Sequence, residues 1–361
     1  ILLFCSLSAV HSTILIKQLN FKLQSKISVG SALISGLIGI VLAYKGFGVW
    51  SLVYRQLAGT ILTSLFYWIF HSWVPRKVFQ WVSLKDLFGF SLKFLLSRFI
   101  DQSFWNIYYV IIGKVFSVKE LGLYTRAEMF KNLPSQNLTS LIANVSLPAL
   151  VQSQENKTIR ENYRKVLGIN IYLASFMLFM IISTANSMVL ALLGEKWSEM
   201  IPVLKLLCLS GLLYPASILA INVFTVKGDS SLILRLEFVK KGISLLLILA
   251  FISGGLRGII FAIVISSVID FLLNGFYSGR LIGYKLTSQI KDILQAMIIP
   301  FLAGVLVLLL GNVMSIDPIA ELIIQCCTGL VILFFIGEIL KSSNHNTIKE
   351  LVINTLQKIK K

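Results

Sequence analysis

Charged side chains are scarce: Asp, Glu, Lys and Arg make up only 14% of the 361 residues, against 56% hydrophobic. With mean hydropathy at +0.83, a water-soluble globule is excluded, because too little polar surface remains to face solvent. Histidine is rarer still. His11, His71 and His345 are scattered, and the four cysteines (Cys5, Cys208, Cys326, Cys327) form no C-x-x-C pair. These absences exclude a recognisable metal site and a disulfide framework. No G-x-x-x-x-G-K-[ST] loop is present, so nucleotide hydrolysis by this chain is not expected. Hydrophilic loops are short as well, which leaves no room for a soluble catalytic domain. No paired carboxylates on such a loop suggest glycosyl transfer. No catalytic residue, cofactor or metal is assigned.

What the sequence has instead is a series of apolar runs of membrane-crossing length. Ile27–Tyr44, Ile243–Gly255 and Ile298–Val313 are apolar all round. A helix needs about 20 such residues to cross the hydrocarbon core, and a β-barrel would alternate with period two. The expected fold is therefore all-α, a polytopic transmembrane helical bundle. Eleven crossings are predicted, at 1–16, 27–45, 49–73, 87–113, 120–150, 164–193, 200–226, 230–253, 256–281, 293–312 and 317–340.

Net charge is +17, but the basic residues gather between the runs and no nucleic-acid motif accompanies them. If residues 17–26 are cytoplasmic, the alternate loops and the tail hold twenty Lys and Arg, and the opposite loops hold five: Lys45, Lys114, Lys119, Lys196 and Arg257. That asymmetry predicts a cytoplasmic C-terminus. Residues 343–361, with Ile348, Leu351, Val352, Leu356 and Ile359 at helical spacing among lysines, read either as an amphipathic helix on anionic lipid or as a frayed basic tail. Pro134, Pro215 and Pro300 fall inside predicted spans and are expected to bend them, as hinges or as static kinks.

Several stretches resemble the lipid-linked polysaccharide flippases (Wzx-like, colanic-acid-exporter branch) of the multidrug/oligosaccharidyl-lipid/polysaccharide superfamily. The stretch Gly46-Phe47-Gly48-Val49-Trp50-Ser51-Leu52-Val53 is similar to that branch's step between two spans. Leu121-Gly122-Leu123-Tyr124-Thr125-Arg126-Ala127 with Leu133-Pro134, Leu193-Gly194-Glu195-Lys196-Trp197, and Leu212-Leu213-Tyr214-Pro215 match in order. So do Lys227-Gly228, Leu236-Glu237 and Lys240-Lys241, although Asp229 stands where a basic residue is expected. The resemblance implies two six-helix lobes followed by two extra spans. On that alignment residues 1–74 are the last three helices of the first lobe, and 75–292 the second lobe. Residues 293–340 are the extra pair and 341–361 the basic tail. About three opening helices would be missing, with Ile1–Ile16 the end of a longer helix. The implied activity is translocation of undecaprenyl-pyrophosphate-linked repeat units by alternating access. Partners would be the lipid-linked oligosaccharide, membrane lipids and polysaccharide polymerase machinery. A drug/cation antiporter of the same superfamily and an inactive fragment are the alternatives.

Ionisable residues inside spans are costly and therefore mark candidate sites. The fourth span carries Lys93, Arg98, Asp101 and Trp105. Phe94, Arg98, Asp101 and Trp105 share one helix face, and Arg98 and Asp101 are spaced to pair. An Arg fork suits a diphosphate, and Trp105, Tyr108 and Tyr109 offer flat surfaces for sugars. A structural ion pair with an interfacial aromatic belt is the competing reading. Arg55 and Arg126 complete the substrate-pathway set, each competing with a snorkelling role. Asp270, alone in its span with Asn274 and Tyr277 at the next turns, is the ion-coupling candidate, or a carboxyl bonded to a neighbouring helix. Glu128 and Lys131 are expected near an interface, and Arg235, Glu237, Lys240 and Lys241 as anchors near a membrane surface. The cavity is expected to be cationic.

Overall fold

The computed structural model describes residues 2–18, 20–74, 80–139, 142, 156–314, 316–340, 342 and 344–350. Among these every regular element is helical, so the all-α expectation holds. Among the described residues six helical stretches are long and apolar enough to cross a membrane, and the protein is a multi-pass membrane protein. The helices are α1 Leu2–Lys17, α2 Phe21–Tyr44, α3 Trp50–Phe70, α4 Trp81–Val115, α5 Val118–Asn132, α6 Asn156–Ser183, α7 Ala185–Leu193, α8 Met200–Gly211, α9 Tyr214–Val226, α10 Ser230–Phe251, α11 Gly255–Ile282, α12 Leu286–Val313 and α13 Pro318–Ile339.

The chain divides into two compact units, Ile1–Trp81 and Val82–Lys361. In the first, α2 and α3 pack along their lengths and Leu15, Ile27 and Tyr67 form the small core. In the second, one apolar core joins α5, α8 and α11, and another joins α6, α9 and α12. Backbones approach closely where side chains are absent. A Cβ on Gly304 of α12 would stand 2.9 Å from the Phe179 Cβ of α6. The Ser183 hydroxyl there donates to the Gly304 carbonyl at 2.7 Å, beside its own-helix acceptor.

Most predicted spans survive as helices, but three are interrupted for legible reasons. The 164–193 span breaks at Thr184 into α6 and α7, and 200–226 breaks at Leu212–Leu213, where Pro215 opens α9 in a first turn that needs no proline N–H. The span predicted at 120–150 runs as α5 and then a π-helical turn, Leu133–Leu138, with Pro134 in its first turn; much of its remainder lies outside the described residues. Pro300 is retained inside α12. Caps explain several starts. Ser117 and Glu120 close a reciprocal capping box at α5. Asp229 accepts from the Leu232 N–H at 2.9 Å and caps α10, which accounts for an acid where a base was expected. Gly283 ends α11 in a left-handed conformation at φ +69°.

Of the tail, residues 344–350 are helical. His345 is buried, 3.2 Å from the Tyr172 hydroxyl of α6. The amphipathic pattern from Leu351 onward lies outside the described residues.

Candidate functional site: a charge-paired cavity in the second unit

Ionisable residues from four helices of the second unit converge on one cavity of about 930 Å3, its open mouth included. Its wall carries Asp101 from α4, Lys131 from α5, Glu237, Lys240 and Lys241 from α10, and Asp270 from α11. Three ammonium groups thus face three carboxylates, which corrects the expected cationic cavity.

The pairing is specific. Lys241 reaches Asp101 at 2.6 Å and stands 3.8 Å from Glu237, one turn away on its own helix. Glu237 also accepts from Lys240, and both are about 4% exposed. On the other wall, Lys131 lies 3.9 Å from Glu128 and 5.0 Å from the centre of the Trp105 ring. Glu128 accepts from the Tyr109 hydroxyl at 2.5 Å and the Tyr124 hydroxyl at 3.4 Å. Pairing and hydrogen bonding of this kind are what allow charge to persist away from water. Asp270 differs: it lines the cavity without closing a salt bridge among the described residues.

Among the described residues, three lining side chains keep buried polar atoms without a hydrogen-bond partner: Glu237 at Oε2, Ser266 at Oγ and Asn274 at both ends of its amide. Asn274, one turn beyond Asp270, is 1% exposed and lines the cavity. Neither its Oδ1 nor its Nδ2 has a hydrogen-bond partner. A buried polar group left so costs roughly 1–3 kcal/mol.

Several sequence-based assignments move. Asp101 pairs with Lys241 rather than Arg98, because α10 brings an ammonium to the carboxylate while Arg98 points elsewhere on α4. The Arg98 guanidinium lies 5.2 Å from the Phe94 ring centre and is exposed. Of the shared face, only Asp101 and Trp105 reach the cavity. Lys93 is exposed and donates to the Ser231 hydroxyl at 2.8 Å. Arg126 is exposed, 5.8 Å from the Trp197 ring centre. Arg55 belongs to the first unit, exposed, its stem resting against Gly39. Glu128 and Lys131 are enclosed within the helices, at 2% and 3% exposure. Nor are Glu237, Lys240 and Lys241 surface anchors. A signal for them exists in the sequence, since Glu237, Lys240, Lys241 and Ser244 occupy one helical stripe at i, i+3, i+4 and i+7.

The motif residues converge as well. Tyr124, Tyr214, Glu237, Lys240 and Lys241, drawn from three of the recognised stretches, all line this cavity. A sequence profile described as "Polysaccharide biosynthesis protein" matches residues 1–202. The chain belongs to that family. It is the Wzx-like flippase family that the motifs resemble. The chain is 24% identical over 294 residues to "Teichuronic acid biosynthesis protein TuaB" of Bacillus subtilis, covering 80% of this chain and 61% of that protein. It is 26% identical over 210 residues to "Succinoglycan biosynthesis transport protein ExoT" of Rhizobium meliloti, covering 58% and 42%. To "Lipopolysaccharide biosynthesis protein WzxC" of Escherichia coli it is 24% identical over 204 residues, covering 55% and 41%. The chain therefore spans some four to six tenths of these relatives' lengths. The family match includes the α4 and α5 walls of the cavity; the α10 and α11 walls follow after it.

Proposed function

We propose that the protein is a secondary transporter that moves undecaprenyl-pyrophosphate-linked polysaccharide repeat units across the bacterial inner membrane by alternating access, with its C-terminus in the cytoplasm. Catalysis has no part in this reading. The observation that carries it is the polar, charge-paired cavity, its charged side chains drawn from helices α4, α5, α10 and α11, in a membrane protein of a polysaccharide biosynthesis family. Six charged side chains have no structural need to meet inside an apolar protein, and a polar headgroup crossing a bilayer needs such a passage. Asp101, Trp105, Lys131, Lys240 and Lys241 are the proposed substrate-pathway residues. Asp270 is the proposed coupling residue, since it is the lining carboxylate that no salt bridge holds. Its charge is therefore the one that a proton or sodium ion can neutralise without first breaking a pair. Polymerase machinery is the proposed acceptor of the product.

The test is complementation. The full-length protein is returned to a strain of its host lacking the gene, and surface polysaccharide is quantified at matched expression. Wild type is expected to restore export, Lys241→Ala and Asp270→Asn to lower it at least tenfold, and drug resistance to stay unchanged. Restored drug efflux without polysaccharide would favour the cation-antiporter reading instead.

A further inference from the structure

The cavity's lining is more selective than its charge. Its lysines are already paired with carboxylates, so an anion entering it would have to compete with Asp101 for Lys241. The polar groups that stand open are of another kind. Asn274 presents a free donor and a free acceptor together, buried at 1% exposure. Ser217, Ser244 and Ser267 line the same cavity, beside the ring of Tyr214.

A phosphate oxygen at neutral pH is largely an acceptor and would leave the Asn274 Oδ1 unmet. A sugar hydroxyl both donates and accepts, so two neighbouring hydroxyls satisfy both ends of one carboxamide. Aromatic walls suit the C–H faces of the same ring, apolar where the hydroxyls are not.

We infer that this cavity receives the saccharide portion of the translocated lipid-linked unit rather than its diphosphate, and that Asn274 is a specificity-determining residue reading a pair of sugar hydroxyls. The inference rests on the transport reading above. The diphosphate is then held outside the cavity, and selectivity among cargoes follows the sugar.

The test compares two probes on the full-length protein in nanodiscs: lipid-linked oligosaccharide extracted from the host, and bare undecaprenyl diphosphate. Wild type is expected to bind the glycosylated lipid at least tenfold more tightly. Asn274→Leu should reduce that affinity to the level of the bare lipid and leave the bare lipid's affinity unchanged. The same variant should keep or raise the melting temperature, because the native amide has no partner to lose; Asn274→Ser, which retains one hydroxyl, should bind at an intermediate level. Equal affinity of wild type for both lipids overturns the inference, as does an equal weakening of both by Asn274→Leu. A marked fall in melting temperature for Asn274→Leu also overturns it, by showing a structural amide. If the wild type exports polysaccharide but shows no preference, the inference alone fails; if it does not export, the transport reading fails first.

Discussion

At the scale of single residues, the buried cluster around Lys131 offers the sharpest energetic test. Lys131 and Glu128 are almost wholly enclosed. Removing one charge strands the other, which costs about 3–5 kcal/mol, whereas replacing both with apolar groups costs far less. Glu128→Gln should therefore lower thermal stability strongly in detergent, and the double variant Glu128→Gln/Lys131→Met should recover most of the loss. A double-mutant cycle by thermal unfolding measures this, and additive losses would show that the two do not interact. Asp101 illustrates what sequence could and could not say. Its position in an apolar run marked it as unusual, because an unpaired carboxylate there is unfavourable. Its partner was misassigned to Arg98, since helical spacing reports only neighbours on the same helix. The true partner, Lys241, is 140 residues away.

At the scale of elements, helix existence was legible and helix interruption partly so. An apolar run in lipid must satisfy its own backbone, so it forms a helix wherever it lies. The prolines marked where that pattern changes: Pro215 at the start of α9 and Pro134 at the π-helical turn. The break at Thr184 carried no such mark. Gly304 shows the packing that the sequence hid, since a glycine in a span does not announce its neighbour. Gly304→Leu would drive a side chain into Phe179 and the α6–α12 seam. Overpacking of that kind costs about 1–3 kcal/mol, so a lowered unfolding midpoint is expected, while Gly36→Leu on α2, which meets open space, should change little. A similar loss in both would show that the contact with Phe179 is not what the Gly304 substitution disturbs, since backbone entropy alone favours leucine over glycine within a helix.

At the scale of the whole molecule, orientation is the prediction that composition supports. A reporter active only outside the cytoplasm should be active when fused after Gly194 and silent when fused after Gly228, because the basic loops alternate about these turns. The reverse result would invert the proposed topology. Chain composition by itself determined that this is a multi-spanning helical protein, because sparse charge and long apolar runs leave no other way to satisfy the backbone in a bilayer. The motifs, in their order along the chain, determined its family. Only the tertiary structure decided that the cavity is charge-paired rather than cationic, that Arg98 lies outside it, and that Asn274 faces it unpartnered. The physical reason is that the cost of a buried charge or amide depends on which groups surround it. Helices distant in sequence supply those groups, and no local pattern records how they pack.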